Sequence, residues 1–416
     1  MRNWSGHVEF AATSWIEPTT LSDLQSAVAT TDRIRAVGTT HSFNDLADTD
    51  GMHVSVAGLP QGIVIDEARL TARVPAGLRY GEAARLLHEQ GWALHNMASL
   101  GHISVAGTIA TGTHGSGDRN PTLSAAVHGL DLVTATGDCL RVTRADDPVA
   151  FPGTVVSLGA IGVVTAVDVA IQPTFDVRQF VFDDISHAAL LAGFDATFAS
   201  AYSVSFFTCW APDLVGQVWM KRRVGLDGEW TQPGILDGAL ADGKRHPLPG
   251  HDAVHCTEQG GLVGPWHERL PHFRLDFTPS SGNELQTEYL VPRDRAVELL
   301  QDLETLAPRI HALLHVSEIR TMCADDLWLS GASGRDTVAI HFTWQRRPEV
   351  LGILAELDAV FADRGGRPHW GKLYDATPAS IRSRYPRFDD FADLVDRMDP
   401  TGKFRNRTLD ALLAAG

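Results

Sequence analysis

Apolar residues recur at helical spacing in only a few stretches of the chain. Leu21, Leu24, Ala27 and Val28 share one face and predict a short helix over 21–29. Residues 80–90 read as a helix that Gly91 ends. Further helices are expected over 185–198, over 294–306, where Val297, Leu300, Leu303 and Leu306 align, and over 348–363, which opens on a proline. Elsewhere short apolar or alternating runs predict strands, at 34–37, 63–66, 70–74, 93–96, 127–134, 139–143, 163–171, 203–209, 217–221, 284–291, 311–320 and 337–344. Thr136, Gly137 and Asp138 join two of these as a hairpin. Residues 225–283 are rich in Gly, Pro, His and Trp, lack periodicity and read as long loops.

Helices and strands do not alternate as regular βαβ units. The pattern is α+β, in two domains that meet near Pro173. A chain of 416 residues has room for them, at roughly 150 residues per domain. Hydrophobic residues make up 44% and charged residues 21%, which predicts a large core and no disorder. The net charge of -16 argues against nucleic acid or an anionic membrane as partner. No apolar run of about 18 residues is present to span a membrane. The N-terminus lacks the apolar core of a signal peptide. Cys139, Cys209, Cys256 and Cys323 are far apart and offer no zinc or iron–sulfur spacing, so no metal is expected and a reducing cytoplasm is.

Candidate chemistry begins in residues 99–117, SLGHISVAGTIATGTHGSG. Gly101, Gly107, Gly112, Gly115 and Gly117 are interleaved there with Ser104, Thr108, Thr111, Thr113 and Ser116. Glycine lets backbone approach a ligand closely, and free N–H groups and hydroxyls bind phosphate oxygens. A turn cluster with no ligand is the other reading of such a loop. A second Gly/Thr/Ser-rich turn, VGTTHSFND at 37–45, carries His41 and favours the ligand. Common alternatives are missing. No G-x-G-x-x-G follows a strand, and Thr113 stands where a P-loop needs lysine. No serine sits in G-x-S-x-G, and His267, Glu268 and His272 lack zincin spacing.

Glu318 and Arg320 lie two apart in a predicted strand and so share a face. Alone they read first as a solvated ion pair. His341 and Thr343 repeat the spacing amid apolar residues, where they also read as core groups with backbone partners. Lys372, between Gly371 and Leu373, is by itself an ordinary surface lysine. Brought together, these side chains would form one pocket. Glu318 would accept hydrogen bonds from substrate hydroxyls, Arg320 and Lys372 would stabilise a developing anion, and His341 would remove a hydroxyl proton. That suits alcohol oxidation, for which protein side chains supply no hydride acceptor.

These motifs resemble, over nearly the whole chain, the vanillyl-alcohol-oxidase type of flavoproteins, and within it the alditol oxidases beside the sugar-lactone oxidases. The carriers are VGTTHSFND at 37–45, HISVAGTIATGTHGSG at 102–117, SLGAIG at 157–162, VSEIR at 316–320, HWGK at 369–372 and DPTGKFRN at 399–406. The resemblance implies a PCMH-type FAD-binding domain from residues 1–173, completed by 375–416, with a capping substrate domain over 174–374. It implies FAD joined covalently to His41. Val37, Gly38, Thr39, Thr40, Ser42 and Phe43 would contact the cofactor from the first loop. Ser104, Gly107, Ile109, Gly112, Thr113, His114, Gly115 and Ser116 would do so from the second, with Gly162, Val163 and Lys372 besides. Ser104, Glu318, Arg320, His341, Thr343 and Lys372 match the residues that bind an alditol. Catalysis would fall to Arg320, Lys372, His341 and Glu318, with either His341 or Lys372 as the base.

The implied reaction oxidises the C1 hydroxyl of an alditol such as xylitol or sorbitol to the aldose. Hydride passes to flavin N5, and O2 restores the flavin and yields H2O2. The partners expected are the polyol and O2, with no nucleic acid or membrane, for a cytoplasmic monomer. A sugar-1,4-lactone oxidase or dehydrogenase is the alternative, since it shares the flavin linkage and the carboxylate–arginine pair. A non-catalytic sugar-binding protein on the same fold is a third reading, suited to the Trp and His residues between 210 and 272.

Overall fold

The structure, a computed structural model, describes residues 1–228, 236–277 and 283–414. The first 173 residues build three small sheets, one of them only the pairing of Trp92–Ala93 with Gln172–Pro173. Ser14–Ile16, Met52–Val54 and Ile34–Ala36 pair in parallel. Val64–Asp66, Thr71–Pro75, Val163–Ala170, Val127–Val133 and Cys139–Thr143 form an antiparallel sheet in that spatial order, with the expected hairpin at its edge. The helix Leu21–Thr30 starts where Thr20 accepts a hydrogen bond from the Asp23 amide, and it buries Leu24 and Val28. The helix Tyr80–Glu89 buries Tyr80, Ala83, Ala84 and Leu87.

The middle of the chain builds one large sheet, nine strands among the described residues. At its centre Ser203–Thr208, Leu314–Met322, Thr337–Gln345 and Glu284–Pro292 lie side by side, all antiparallel. Alternation assigns its two faces. Leu285, Tyr289, Ile319, Ile340 and Phe342 pack against the helices Ala296–His311 and Glu349–Asp363. Residues one step away in each strand point to the opposite face: Gln286, Glu288, Glu318, Arg320, His341 and Thr343. The register sets Glu318 beside His341, His341 beside Glu288, and Thr343 beside Gln286.

The last forty residues return to the N-terminal core. Phe388, Phe391, Leu394 and Val395 of the helix Phe388–Met398 share a core with Phe151, Val167 and Trp328. Buried Arg35 donates to the carbonyls of Leu46 and Leu158 at 2.6 and 2.8 Å and also to that of Phe404. The Asn406 amide donates to the carbonyls of Asp45, Leu46 and Asp48 at 2.9–3.1 Å.

Several elements differ from expectation. The strand Asp176–Ser186, eleven residues long, is not predicted by alternation. Phe180 and Phe182 face one core while Val181 faces another, so the run is apolar on both sides. The helix expected over 185–198 therefore begins at His187 and is broken at Gly193 into His187–Ala192 and Phe194–Ala199. The strand over 93–96 reduces to Trp92–Ala93, and His311 ends a helix rather than starting a strand. The glycine-rich stretch contains a helix, Val105–Ala110, whose Val105 and Ile109 are buried one turn apart. Within 225–283 the chain is mostly irregular, with Ala239–Leu240 and Gly264–Pro265 each adding a short strand, while 229–235 and 278–282 lie outside the described residues. The helices Pro378–Ser383, Phe388–Met398 and Arg407–Ala414 in the tail also go beyond the sequence reading. Among the described residues no helix is long and apolar enough to cross a membrane.

The Asn406 clamp gives a stability expectation. Asn406→Ala leaves three carbonyls without their shared donor, and thermal melting of the purified protein should show a loss of about 2 kcal/mol. An unchanged melting temperature would mean that the tail is held by its apolar helices alone.

Candidate active site

A cavity of about 1090 Å³ lies between the N-terminal loops and the polar face of the large sheet. The N-terminal wall is built from small residues where backbone segments nearly touch. A Cβ on Gly38 would stand 2.0 Å from Ser104 Oγ, and one on Gly107 would stand 2.9 Å from the same atom. Thr40 adopts φ 56° to turn the chain into His41, and Gly159 and Gly162 take φ +71° and +146°. Hydroxyls of Thr39, Thr111, Thr113 and Ser157 join this wall. The donor set fits FAD: glycines permit close approach, hydroxyls and amides suit a pyrophosphate, and the far end of the cavity carries Arg320 and Lys372.

That far end is organised around Glu288. Its Oε1 accepts from Arg320 Nη2 at 3.0 Å and lies 3.1 Å from His114 Nε2, an ion-pair distance without hydrogen-bond alignment. Its Oε2 lies 3.5 Å from His341 Nδ1. Burial alone would raise this carboxyl, but His114, His341 and Arg320 outweigh it and hold Glu288 well below the usual carboxylate range. Glu318 is lowered too: Arg320 and His272 overcome its burial. Its Oε1 accepts from His272 Nε2 at 2.7 Å and sits 3.5 Å from Arg320 Nε. Arg320 Nη1 also reaches Ser99 Oγ at 3.2 Å.

His341 is lowered by burial, against the pull of Glu288, and so is neutral. With Nδ1 facing the Glu288 carboxylate, its proton belongs on Nδ1, which leaves the Nε2 lone pair 3.1 Å from Thr343 Oγ1. Lys372 Nζ donates to Gln286 Oε1 and stands 5.0 Å above the Phe43 ring. Burial takes it down to about 8, with Glu288 pulling the other way. The tight turn carrying it is held because Asn44 donates to the carbonyls of Trp370 and Lys372 at 2.8 and 2.9 Å.

His41 lies on the cavity, with Nδ1 3.3 Å from His102 Nε2 and its ring 4.5 Å from that of Trp4. Burial, then the nearby Lys372 cation and His102, take His41 well below its ordinary value.

The structure thus brings Glu318, Arg320, His341, Thr343 and Lys372 to one wall, and Val37, Gly38, Thr39, Thr40, His41 and Ser42 to another. Ser104, Gly107, Thr113, His114 and Gly162 also line the cavity. Six residues expected to touch the cofactor do not line it. Ser116 Oγ turns away to the Val204 carbonyl, and Gly115 packs on Asn96 and Met97. Ile109 and Val163 are core residues, and Gly112 makes the left-handed turn after the short helix. Phe43 lies behind His41, edge-on at 5.9 Å. Sequence reasoning missed Glu288, Gln286 and His272. For the first two a signal existed: Glu284, Gln286 and Glu288 alternate in ELQTEYLV and so share a face. His272 follows Pro271 in an irregular segment that gives no such pattern.

Comparisons with known proteins agree with this geometry. A family model described as an FAD binding domain matches residues 13–143, and one described as D-arabinono-1,4-lactone oxidase matches residues 282–412. An alditol oxidase from a Streptomyces species is 44% identical over 99% of this chain and 98% of its own length. The L-gulono-1,4-lactone dehydrogenase of Mycobacterium tuberculosis is 29% identical, covering 97% of this chain and 96% of that one. Among solved structures, the cholesterol oxidase of B. sterolicum superposes with a TM-score of 0.77 at 16% identity, covering 99% of this chain and 96% of that one. The fold is therefore the α+β vanillyl-alcohol-oxidase type.

Glu288 carries a pH expectation. Its folded value lies below the ordinary 4.5, so the unfolded chain binds the proton more readily. The stability it contributes is fully present above about 4.5 and is lost as pH falls through the lower, folded value. Thermal melts of the wild type and Glu288→Gln from pH ~7 to ~3 should show a shallower acid loss in the variant. Parallel curves would mean that this carboxylate is not held ionised.

Proposed function

The chain belongs to the family of FAD-dependent oxidoreductases that contains the alditol oxidases and, more distantly, the sugar-1,4-lactone oxidases, and we propose that its own substrate is a polyol oxidised at C1. Xylitol and sorbitol are the substrates to try first, with the aldose as product. The observation that carries this reading is the buried polar face of the large sheet. It presents an imidazole base, two carboxylates and two cations to a cavity shared with the glycine-rich loops. Bound FAD would supply the two-electron acceptor that no side chain provides and hand the electrons on to O2, giving H2O2.

The chain's own residues then have separable tasks. His341 Nε2, whose lone pair meets the Thr343 hydroxyl at 3.1 Å, takes the proton of the C1 hydroxyl once that hydroxyl replaces the Thr343 contact, while Glu288 holds Nδ1–H and steadies the imidazolium that results. Glu318 accepts hydrogen bonds from hydroxyls further along the polyol. Thr343 and Ser104 orient the chain near C1. Arg320 and Lys372 face the negative charge that develops, in a site where low dielectric strengthens them. The choice of His341 over Lys372 as base rests on the Nε2 lone pair, which faces a rotatable hydroxyl, whereas the Lys372 ammonium has no lone pair and donates to Gln286.

Within this reading His41 is the residue joined to the flavin, a role supported by its place on the cavity and its neutral imidazole. The division into 1–173 with 375–416 and a cap over 174–374 belongs to the same proposal. So does a cytoplasmic location, supported by four cysteines that are all free. A lactone substrate is the second reading, supported by the lactone-oxidase model over 282–412.

Two experiments test the proposal. Under anaerobic conditions the flavin spectrum should bleach on adding xylitol and stay unchanged with a galactono-1,4-lactone; the reverse result selects the lactone. Arg320→Ala should keep the bound flavin yet reduce it at least ~100-fold more slowly with xylitol. For the linkage, the denatured wild type should carry the mass of FAD and His41→Ala should not. A wild-type mass equal to the bare polypeptide removes the covalent bond.

A further inference from the structure

Behind the pocket lies a buried cation that the proposed reaction does not use. Lys221, on the strand Val215–Arg223, is 1% exposed and does not line the cavity. Its Nζ donates to the carbonyls of Leu270 and Pro271 and to His272 Nδ1, the last at 3.2 Å. We propose that Lys221 and His272 are positioning residues for Glu318. Lys221 fixes the tautomer of His272, and His272 fixes one oxygen of the carboxylate that receives the substrate's hydroxyls. The inference deepens the polyol reading and rests on it.

The argument runs through hydrogen positions that chemistry dictates. Glu318, held ionised, only accepts, so the His272 proton faces it from Nε2 and Nδ1 keeps the lone pair that receives the Lys221 N–H. Burial, aided by the Lys221 charge, takes His272 to about 4, so the ring is neutral and its one proton sits on Nε2. That proton points at Glu318 Oε1, 2.7 Å away. Phe207 and Trp219 meet the imidazole edge-on at 5.2 and 5.4 Å and fix its plane. The His272 amide is tied to the Ser99 carbonyl at 3.1 Å, and Ser99 Oγ to Arg320, so the loop is anchored to the same arginine that flanks Glu318. Oε1 is thereby committed to His272 and Arg320. Among the described residues no hydrogen bond reaches Oε2, which is left for a polyol hydroxyl.

Packing alone does not explain the lysine. Its nitrogen meets two carbonyls and an imidazole, among the described residues no carboxylate lies in hydrogen-bond reach, and an amine taken out of water is a costly way to fill that space. Burial draws Lys221 down to about 7, and the strongest influence holding it up is Glu318, across the neutral ring. Arg320 and Cys256 are the other ionisable groups that act on it. The lysine and the carboxylate therefore form one unit with His272 between them.

The test compares K221M, H272Q, H272L, E318Q and the K221M/E318Q pair with the wild type in steady-state xylitol oxidation. Flavin absorbance and melting temperature verify the fold. K221M should raise KM about 10-fold while changing kcat less than about 2-fold. In the E318Q background the same substitution should change KM less than about 2-fold, because its effect passes through Glu318. H272Q, whose amide N–H reaches toward Oε1, should recover most of the KM lost in H272L. Effects of K221M and E318Q that multiply, or a wild-type KM in K221M, overturn the proposal. If K221M does not fold, equal KM values in H272Q and H272L overturn it instead. Wild-type protein inert to xylitol would sink the polyol reading alone. The same variants are then read with a galactono-1,4-lactone, whose hydroxyls the same carboxylate would accept.

Discussion

Charge neutralisation away from water is the constraint on which the rest depends. Glu288, Glu318 and Arg320 are each under a tenth exposed, and none would be tolerated there alone. Each carboxylate is held by the shared guanidinium and by at least one imidazole. The strand register makes this possible, because Glu318, His341 and Glu288 stand in one row across neighbouring strands. A slip of one residue in any of the three would turn its polar side chain into the helix-packed core. The electrostatics of the pocket and the topology of the sheet are therefore one requirement, and the apolar layer of Ile319, Ile340 and Tyr289 beneath enforces it.

The opposite wall follows another rule. There the limiting quantity is space, with Gly38 and Gly107 both crowded against Ser104. Rigid small residues can cradle a large group but cannot move protons, whereas the sheet face carries titratable groups at fixed spacing. The proposed division of labour between holding a cofactor and handling a substrate thus matches what loops and strands each do well.

Much of the site was legible because its members are patterned. Glu318 with Arg320, and His341 with Thr343, announce a shared strand face through period-two spacing, and the glycines of 99–117 announce close backbone approach. Glu288 carried the same kind of signal but sat in a run whose other face is equally rich in large apolar groups. His272 and Lys221 were out of reach, since their roles come from contact across about fifty residues, between a strand and an irregular loop. In the fold, elements with one wet face were read well. The strand Asp176–Ser186, buried against two cores at once, loses the alternation that would identify it. Several residues expected to contact the cofactor do not line the cavity. A conserved-looking motif mixes residues that touch a ligand with residues such as Ser116 that hold the loop.

Arg35 bears on the order in which the molecule is made. It gathers carbonyls from residues 46, 158 and 404, so one of its partners is made 369 residues after it. Lys372, with the turn that Asn44 secures, also emerges late. Until those segments are made, the nascent polypeptide holds a cradle with neither Lys372 nor its clasp. The cradle is complete only once those later segments have been made, and a ribosome that stalls before them leaves a polypeptide with exposed apolar surface for quality control to recognise.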